Sequence, residues 1–228
     1  EKVLHVKKES RRIYKEYRTS AKLTSIKLIG VAGLCSGAGT TQMCIMLAVF
    51  MGKVLKKKTA VAGDEVTYSL MLRQMQKASA IQHKGIASRH AYSMDGIDYY
   101  CGIRDEDIGI LRQKYDVIIL DISFENTFDN TNVTFARMVS RLSACDEKIL
   151  AGSMLPWKSR ECEKKMERIE RFLDIRGLKM VTLAACDKEA VSIIKKHGVE
   201  VVLIPFERNP FVISGENLRS FLELLKIT

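Results

Sequence analysis

Short apolar runs separated by stretches of helical periodicity recur along nearly the whole chain, the pattern of strands alternating with helices. Residues 28–31 form the first core strand. A helix at about 40–54 follows, with Met43, Met46, Leu47, Phe50 and Met51 at helical spacing. Residues 59–63 read as a second buried strand ending in Asp64-Glu65, and 66–80 as a helix carrying Leu70, Leu72 and Met75. Residues 81–95 are polar and predict no element; a strand at 97–101 and a short helix at 105–113 come next. Tyr115-Asp116-Val117-Ile118-Ile119-Leu120-Asp121 has four consecutive apolar residues ending in an aspartate. That is a strand buried on both faces, delivering a carboxylate to its C-terminal end. A helix at 131–143, a strand at 148–153, a long charged helix at 157–174 and a strand at 179–184 follow. The chain closes with a helix at 187–197, a strand at 201–204 and a helix at 215–226. Ahead of this core, 3–6 suit a short strand and 7–19 a basic helix with Ile13 and Tyr17 on one side. The alternation predicts an α/β fold: a doubly wound, mostly parallel sheet with helices on both faces. In such sheets ligands bind at the C-terminal strand ends.

Composition narrows this to one domain. The 228 residues are 46% hydrophobic, include three prolines and contain no linker-like stretch. The division expected is a basic extension at 1–24 and a core at 25–228. Glu1 in place of an initiator methionine fits a trimmed chain and a segment of a longer one equally. No apolar run reaches the ~18 residues that span a bilayer. Cys35, Cys44, Cys101, Cys145, Cys162 and Cys186 are scattered without C-x-x-C pairs or nearby histidines, which points to reduced, buried thiols in a cytoplasmic protein. His83 and His90 have no third ligand in view and read as surface residues. The net charge of +10 collects at Lys7, Lys8, Arg11, Arg12, Lys15, Arg18 and Lys22, and again at Lys53, Lys56, Lys57 and Lys58. Such runs suit non-specific DNA, an anionic surface or an acidic protein as well as a solvated exterior.

The chemistry concentrates in residues 25–41. A strand runs into Gly33-Leu34-Cys35-Ser36-Gly37-Ala38-Gly39-Thr40-Thr41 and then a helix. Such a turn aims several backbone N–H groups at one place, and the helix dipole adds partial positive charge. Against the phosphate-loop pattern G-x-x-x-x-G-K-[ST], Gly39 is the second glycine and Thr41 the Mg-binding hydroxyl. Thr40 stands at the lysine position and Leu34 at the first glycine. The loop's shape is present and its charge is missing. Asp121 comes about 80 residues on, where a second Mg-coordinating motif belongs. The candidate phosphate site is Ser36, Gly37, Ala38, Gly39, Thr40, Thr41 and Gln42, with Thr41 and Asp121 as metal residues.

In these landmarks residues 25–228 resemble the MinD/ParA family of deviant Walker A ATPases. The family loop K-G-G-x-G-K-T-T lies over Cys35-Ser36-Gly37-Ala38-Gly39-Thr40-Thr41-Gln42. Its D-x-D lies over Gly63-Asp64-Glu65, and its D-T-x-x-G over Asp121-Ile122-Ser123-Phe124-Glu125. Its I-P-x-D, which walls the adenine, lies over Ile204-Pro205-Phe206-Glu207 and adds Pro205 and Phe206 to the site. The resemblance implies ATP or ADP with Mg as cofactor, protein partners and a homodimer. The departures fall on the working residues. Cys35 and Thr40 replace the two lysines, and Glu125 replaces the glycine that senses the γ-phosphate. Gly63 replaces the aspartate that helps activate water, unless Asp64 has shifted into that role. No catalytic residue is therefore assigned.

The expectation is a degenerate nucleotide-binding protein with little or no ATPase activity and weak binding at most. It would be a localisation or assembly scaffold or a slow switch, like TadZ in pilus machinery, cytoplasmic and recruited to a membrane-associated complex. The alternative is an active ParA/MinD-type ATPase that positions DNA or protein. That would need replacement cations, and Lys53 to Lys58 lie at the far end of the first helix. On the last helix, Leu218, Phe221, Leu222 and Leu225 make a stripe better suited to core packing than to membrane attachment.

Overall fold

The computed structural model describes residues 27–63, 65–82, 85–86, 90–122, 132–183 and 187–226. The first half comprises β1 (Leu28–Gly33), α1 (Thr40–Val49) with a π-helical turn (Phe50–Val54), β2 (Thr59–Gly63), α2 (Glu65–Arg73), β3 (Ser79–Ala80), β4 (His90–Met94), β5 (Ile97–Cys101) and α3 (Asp105–Lys114). The second half comprises β6 (Val117–Ile122), α4 (Asn132–Ser143), β7 (Glu147–Ala151), α5 (Pro156–Glu170), β8 (Lys179–Thr182), α6 (Lys188–Lys195), β9 (Glu200–Leu203) and α7 (Gly215–Leu224).

These strands form one sheet in the order β3-β4-β5-β2-β6-β1-β7-β8-β9. From β5 to β9 every pairing is parallel. The predicted mostly parallel α/β sheet is the architecture found. Its central strands β1 and β6 are buried along their whole length, as their continuous apolar runs require. Pairing of Val31 with Asp121 carries the aspartate to the same sheet end as the turn after β1. Helix α1 is apolar on nearly all sides, and Thr40 and every residue from Met43 to Val49 are buried. It is covered by α7, with Phe50 and Phe221 ring centroids 5.3 Å apart. Leu218, Phe221 and Leu225 are buried, so the stripe on the last helix packs on the core.

The polar stretch 81–95 departs from its reading. It contains β4, paired antiparallel to β5 and to the short β3, which extend the sheet at one edge. The helix before it stops at Arg73 rather than at 80. Asp95 and Gly96 both take positive φ (54° and 80°), the backbone of a two-residue hairpin turn between Met94 and Ile97. His90 lies on β4, beside Arg73 at 3.0 Å. Cys35, Cys44, Cys101, Cys145 and Cys162 are buried free thiols. The extension at 1–24, together with Asp64, His83, the segment 123–125 and Cys186, lies outside the described residues.

Candidate nucleotide site

The turn after β1 leaves the sheet between β1 and β7, where Leu34 N–H donates to Ala151 O at 2.8 Å. Gly37 and Gly39 have φ of 72° and 78°, a backbone that side chains other than glycine adopt with strain. Gly39 is the N-cap of α1; no side chain caps that end, and no acidic residue stands in its first turn. The N–H groups of Thr40, Thr41 and Gln42 at this terminus have no acceptor within the helix. Glycine curvature, uncapped N–H groups and the helix dipole together fit a phosphate. The shape read from the sequence is present.

The side chains around the cradle are unusual. A Cβ on Gly33 would stand 2.7 Å from Thr40 Oγ1, so Thr40 lies folded over the strand end and is buried. A Cβ on Gly39 would stand 2.5 Å from Leu183 Cδ1, so that position is closed by the protein itself as well as by its φ. Thr41 Oγ1 donates to Asp121 Oδ2 at 2.7 Å, which brings the two candidate metal residues together.

Tyr68, which the sequence reading missed, donates its hydroxyl to the same Asp121 oxygen at 3.0 Å. It is fully buried, and burial followed by the Asp121 charge pushes its phenol well above the ordinary value. Its ring also fills the space beside Gly63. A Cβ there would come within 2.6 Å of Tyr68 Cδ2 and closer still to Cε2. A side chain at position 63 would thus be met by the ring of a tyrosine from α2.

Gln42 Nε2 donates to Glu207 O at 2.6 Å, joining α1 to the segment carrying Pro205 and Phe206. The Glu207 carboxylate accepts Ser214 N–H at 3.1 Å and Asn217 Nδ2 at 3.0 Å, which pins this segment to the start of α7. Phe206 is 63% exposed, an aromatic face held near the loop helix.

The opposite wall comes from α5. Glu161 Oε1 accepts the loop's Ser36 N–H at 3.2 Å, and its Oε2 accepts from Lys158 Nζ at 3.1 Å. Burial pushes the Glu161 carboxyl up, but these hydrogen bonds outweigh it and hold it below the ordinary range. A lysine therefore does stand beside the loop, already neutralised by a carboxylate. The sequence carried a signal for this wall: Lys158, Glu161, Cys162 and Lys165 share one face at i, i+3, i+4 and i+7. At the far end, Lys53 pairs with Asp95 at 2.7 Å, so it is committed elsewhere.

No family model matches the chain, and no curated protein matches it in sequence. Solved structures do. A septum site-determining MinD from Pyrococcus horikoshii, complexed with Mg-ADP, matches at TM-score 0.55 and 16% identity, over 88% of this chain and 94% of its own. A putative plasmid partition protein from Borrelia burgdorferi, bound to AMPPNP, matches at 0.57 and 15%, over 89% and 98%. A chain of the MinC:MinD cell division protein complex from Aquifex aeolicus matches at 0.56 and 15%, over 85% and 86%.

The chain has the MinD/ParA fold. At these identities the likeness is one of fold, and the site must be judged on this chain's own side chains. In this MinD/ParA-type sheet the cradle, Thr41 and Asp121 stand together at the C-terminal strand ends. Gln42 joins them to the Pro205–Phe206 segment. The chemistry of that set fits a Mg-nucleotide: N–H donors for phosphate, a hydroxyl and a carboxylate for the ion, and an aromatic for the base.

Proposed function

We propose that this protein binds Mg-ADP or Mg-ATP at residues 36–42 and hydrolyses it slowly or not at all, acting as a scaffold or slow switch through protein partners. Thr41 and Asp121 would hold Mg, which neutralises phosphate charge when bound. Pro205 and Phe206 would flank the base. The observation that supports slow or absent hydrolysis is the Tyr68 ring packed against Gly63 with its hydroxyl on Asp121. A water-activating carboxylate has no room there, and a buried phenol held protonated is no base. Thr40 and Cys35 supply no positive charge, whereas phosphoryl transfer depends on positioned cations.

The Mg-ADP and AMPPNP complexes of the P. horikoshii and B. burgdorferi proteins support a nucleotide in this fold, and the MinC:MinD complex supports a protein partner. A homodimer and a TadZ-like localising role, at a membrane-associated complex in the cytoplasm, belong to the same reading. Lys27, Lys57, Arg112 and Lys114 line a cavity of about 350 Å³ at the other end of the sheet, and they suit an anionic surface or non-specific DNA. An active ATPase is the second reading. It draws on Lys158, which would have to leave Glu161 for the phosphates.

The deciding experiment denatures the purified protein, identifies any released nucleotide, and measures Mg-ADP and Mg-ATP binding and steady-state hydrolysis. Binding with undetectable turnover is expected. Turnover near the ~1 s⁻¹ of ordinary enzymes would overturn the pseudo-ATPase reading, and absence of any binding would overturn the nucleotide reading.

A further inference from the structure

Cys35, at the start of the loop, meets a second buried thiol. Cys162, on the second turn of α5, donates its S–H to Ser153 O at 3.7 Å, the neighbouring Ser36 and Glu161 are joined at 3.2 Å, and Cys35 is hydrogen-bonded to Cys162 and to the Ser153 backbone. A Cβ on Gly152 would stand 3.2 Å from Cys162 Sγ and closer still to Met180 Cε, so Cys162 is packed against the chain just after β7. Cys162 is fully buried and Cys35 is 7% exposed, but the adjoining Ser36 and Gly37 are open to solvent. A small oxidant thus has a route to Cys35 and not to Cys162. The surrounding charges are Glu161, Lys158 and Lys165, all from α5.

We propose that Cys35 and Cys162 are a peroxide-responsive thiol pair whose disulfide ties the loop covalently to α5. In the first step the Cys35 thiolate attacks a peroxide oxygen. An S–O bond forms, the O–O bond breaks, sulfur is oxidised to the sulfenic acid and the peroxide is reduced, leaving as hydroxide. In the second step the Cys162 sulfur attacks Cys35 sulfur. The S–S bond forms, the S–O bond breaks, and the departing hydroxide takes the Cys162 proton to become water. The order follows from chemistry as well as access. The hydrogen bond from Cys162 outweighs burial and lowers the Cys35 thiol to about 7, while the same hydrogen bond raises Cys162. Thiolate is the attacking form, and the thiol with the lower pKa and the nearby lysines is the one poised to react. The pairing of a loop sulfur beside solvent-exposed residues with a second sulfur distinguishes this site from the other buried cysteines, such as Cys44 and Cys145, whose thiols burial pushes up.

The test is independent of nucleotide binding. The full chain is treated with hydrogen peroxide, its free thiols are alkylated, and it is digested without reductant. The expected product is a Cys35–Cys162 linked peptide two hydrogens lighter than the two free peptides, reversed by dithiothreitol. In Cys162→Ser the link is lost and dimedone traps a sulfenic acid on Cys35. Alkylation of wild-type Cys35 should show an inflection near pH 7 that moves upward in Cys162→Ala, which removes the donor. Should either variant fail to fold, the wild-type digest and pH profile still decide. Recovery of both cysteines as free thiols from peroxide-treated folded protein would overturn the proposal, as would an inflection at the ordinary cysteine value.

Discussion

At the scale of single residues, the cradle is limited by charge more than by shape. Thr40→Lys would place an ammonium where a buried hydroxyl now folds over Gly33. It should tighten Mg-ATP binding about tenfold, the scale of one charged hydrogen bond. It should leave hydrolysis undetectable, because Tyr68 still fills the place beside Gly63. Calorimetric titration and a phosphate-release assay check the two halves separately. Glu161 acts with the opposite sign. Its carboxylate already sits on the Ser36 N–H, where it repels an incoming phosphate and neutralises Lys158. Glu161→Gln should therefore tighten Mg-ATP binding about two- to fivefold, a modest gain because the pair is partly exposed and screened. Weaker binding in that variant would show that Glu161 shapes the loop instead of competing for it. Gly39 is a poor probe of phosphate contact. Any side chain there strikes Leu183 and is strained by its φ, so loss of binding would follow with or without a phosphate.

Among the elements, α7 separates two roles that an apolar helical stripe can play. Phe221 is fully buried and its ring meets Phe50 across the helix interface. Lys179, 6% exposed on β8, donates to Glu223 O at 2.5 Å near the end of the same helix. A stripe used in this way is unavailable to a bilayer. Phe221→Ala should cost about 3–5 kcal/mol of stability by opening a core cavity, read from denaturant midpoints. Binding to anionic vesicles should not change while the protein stays folded. The hairpin of β4 and β5 shows how an element was missed. Asp95-Gly96 is a strong local turn signal, but the residues before it alternate weakly, and only pairing with β5 makes a strand of them.

For the molecule as a whole, buried acids govern the alkaline limit. Cys145 and Tyr100 are each pushed up to about 12, mainly by burial, from ordinary values of 9.0 and 10.0. Cys44 and Tyr68 move the same way, burial again being the largest cause. A raised folded-state value means the native form holds its proton more tightly than the unfolded chain. That stability is complete below about pH 9 and is lost as pH rises toward 12. Cys35, lowered to about 7 by its hydrogen bond from Cys162, works in the other direction. Its contribution is present above its ordinary 9.0 and is lost as pH falls through 7. The melting temperature should therefore fall steeply between pH 9 and 12, as thermal scans under reducing conditions would show. A flat profile over that range would mean these groups titrate as they do in the unfolded chain.

The sequence by itself determined the parallel α/β order, the glycine turn after β1 and the delivery of Asp121 to its strand end. These are local properties: strand and helix periods, backbone φ and the length of apolar runs. It also placed Cys35 and Thr40 at the positions the resemblance sets over two family lysines. Three further contacts were decided only by tertiary structure. Tyr68 meets Asp121 across 53 residues, Ser36 meets Glu161 across 125, and Cys35 meets Cys162. Periodicity shows which face of a helix turns inward, whereas the partner of each side chain depends on which strands lie side by side and how closely the helices settle on them. The resemblance set the glycine at position 63 over a family aspartate, with Asp64 as the alternative. That a tyrosine ring occupies its space followed only from the packing of α2 against the strand end.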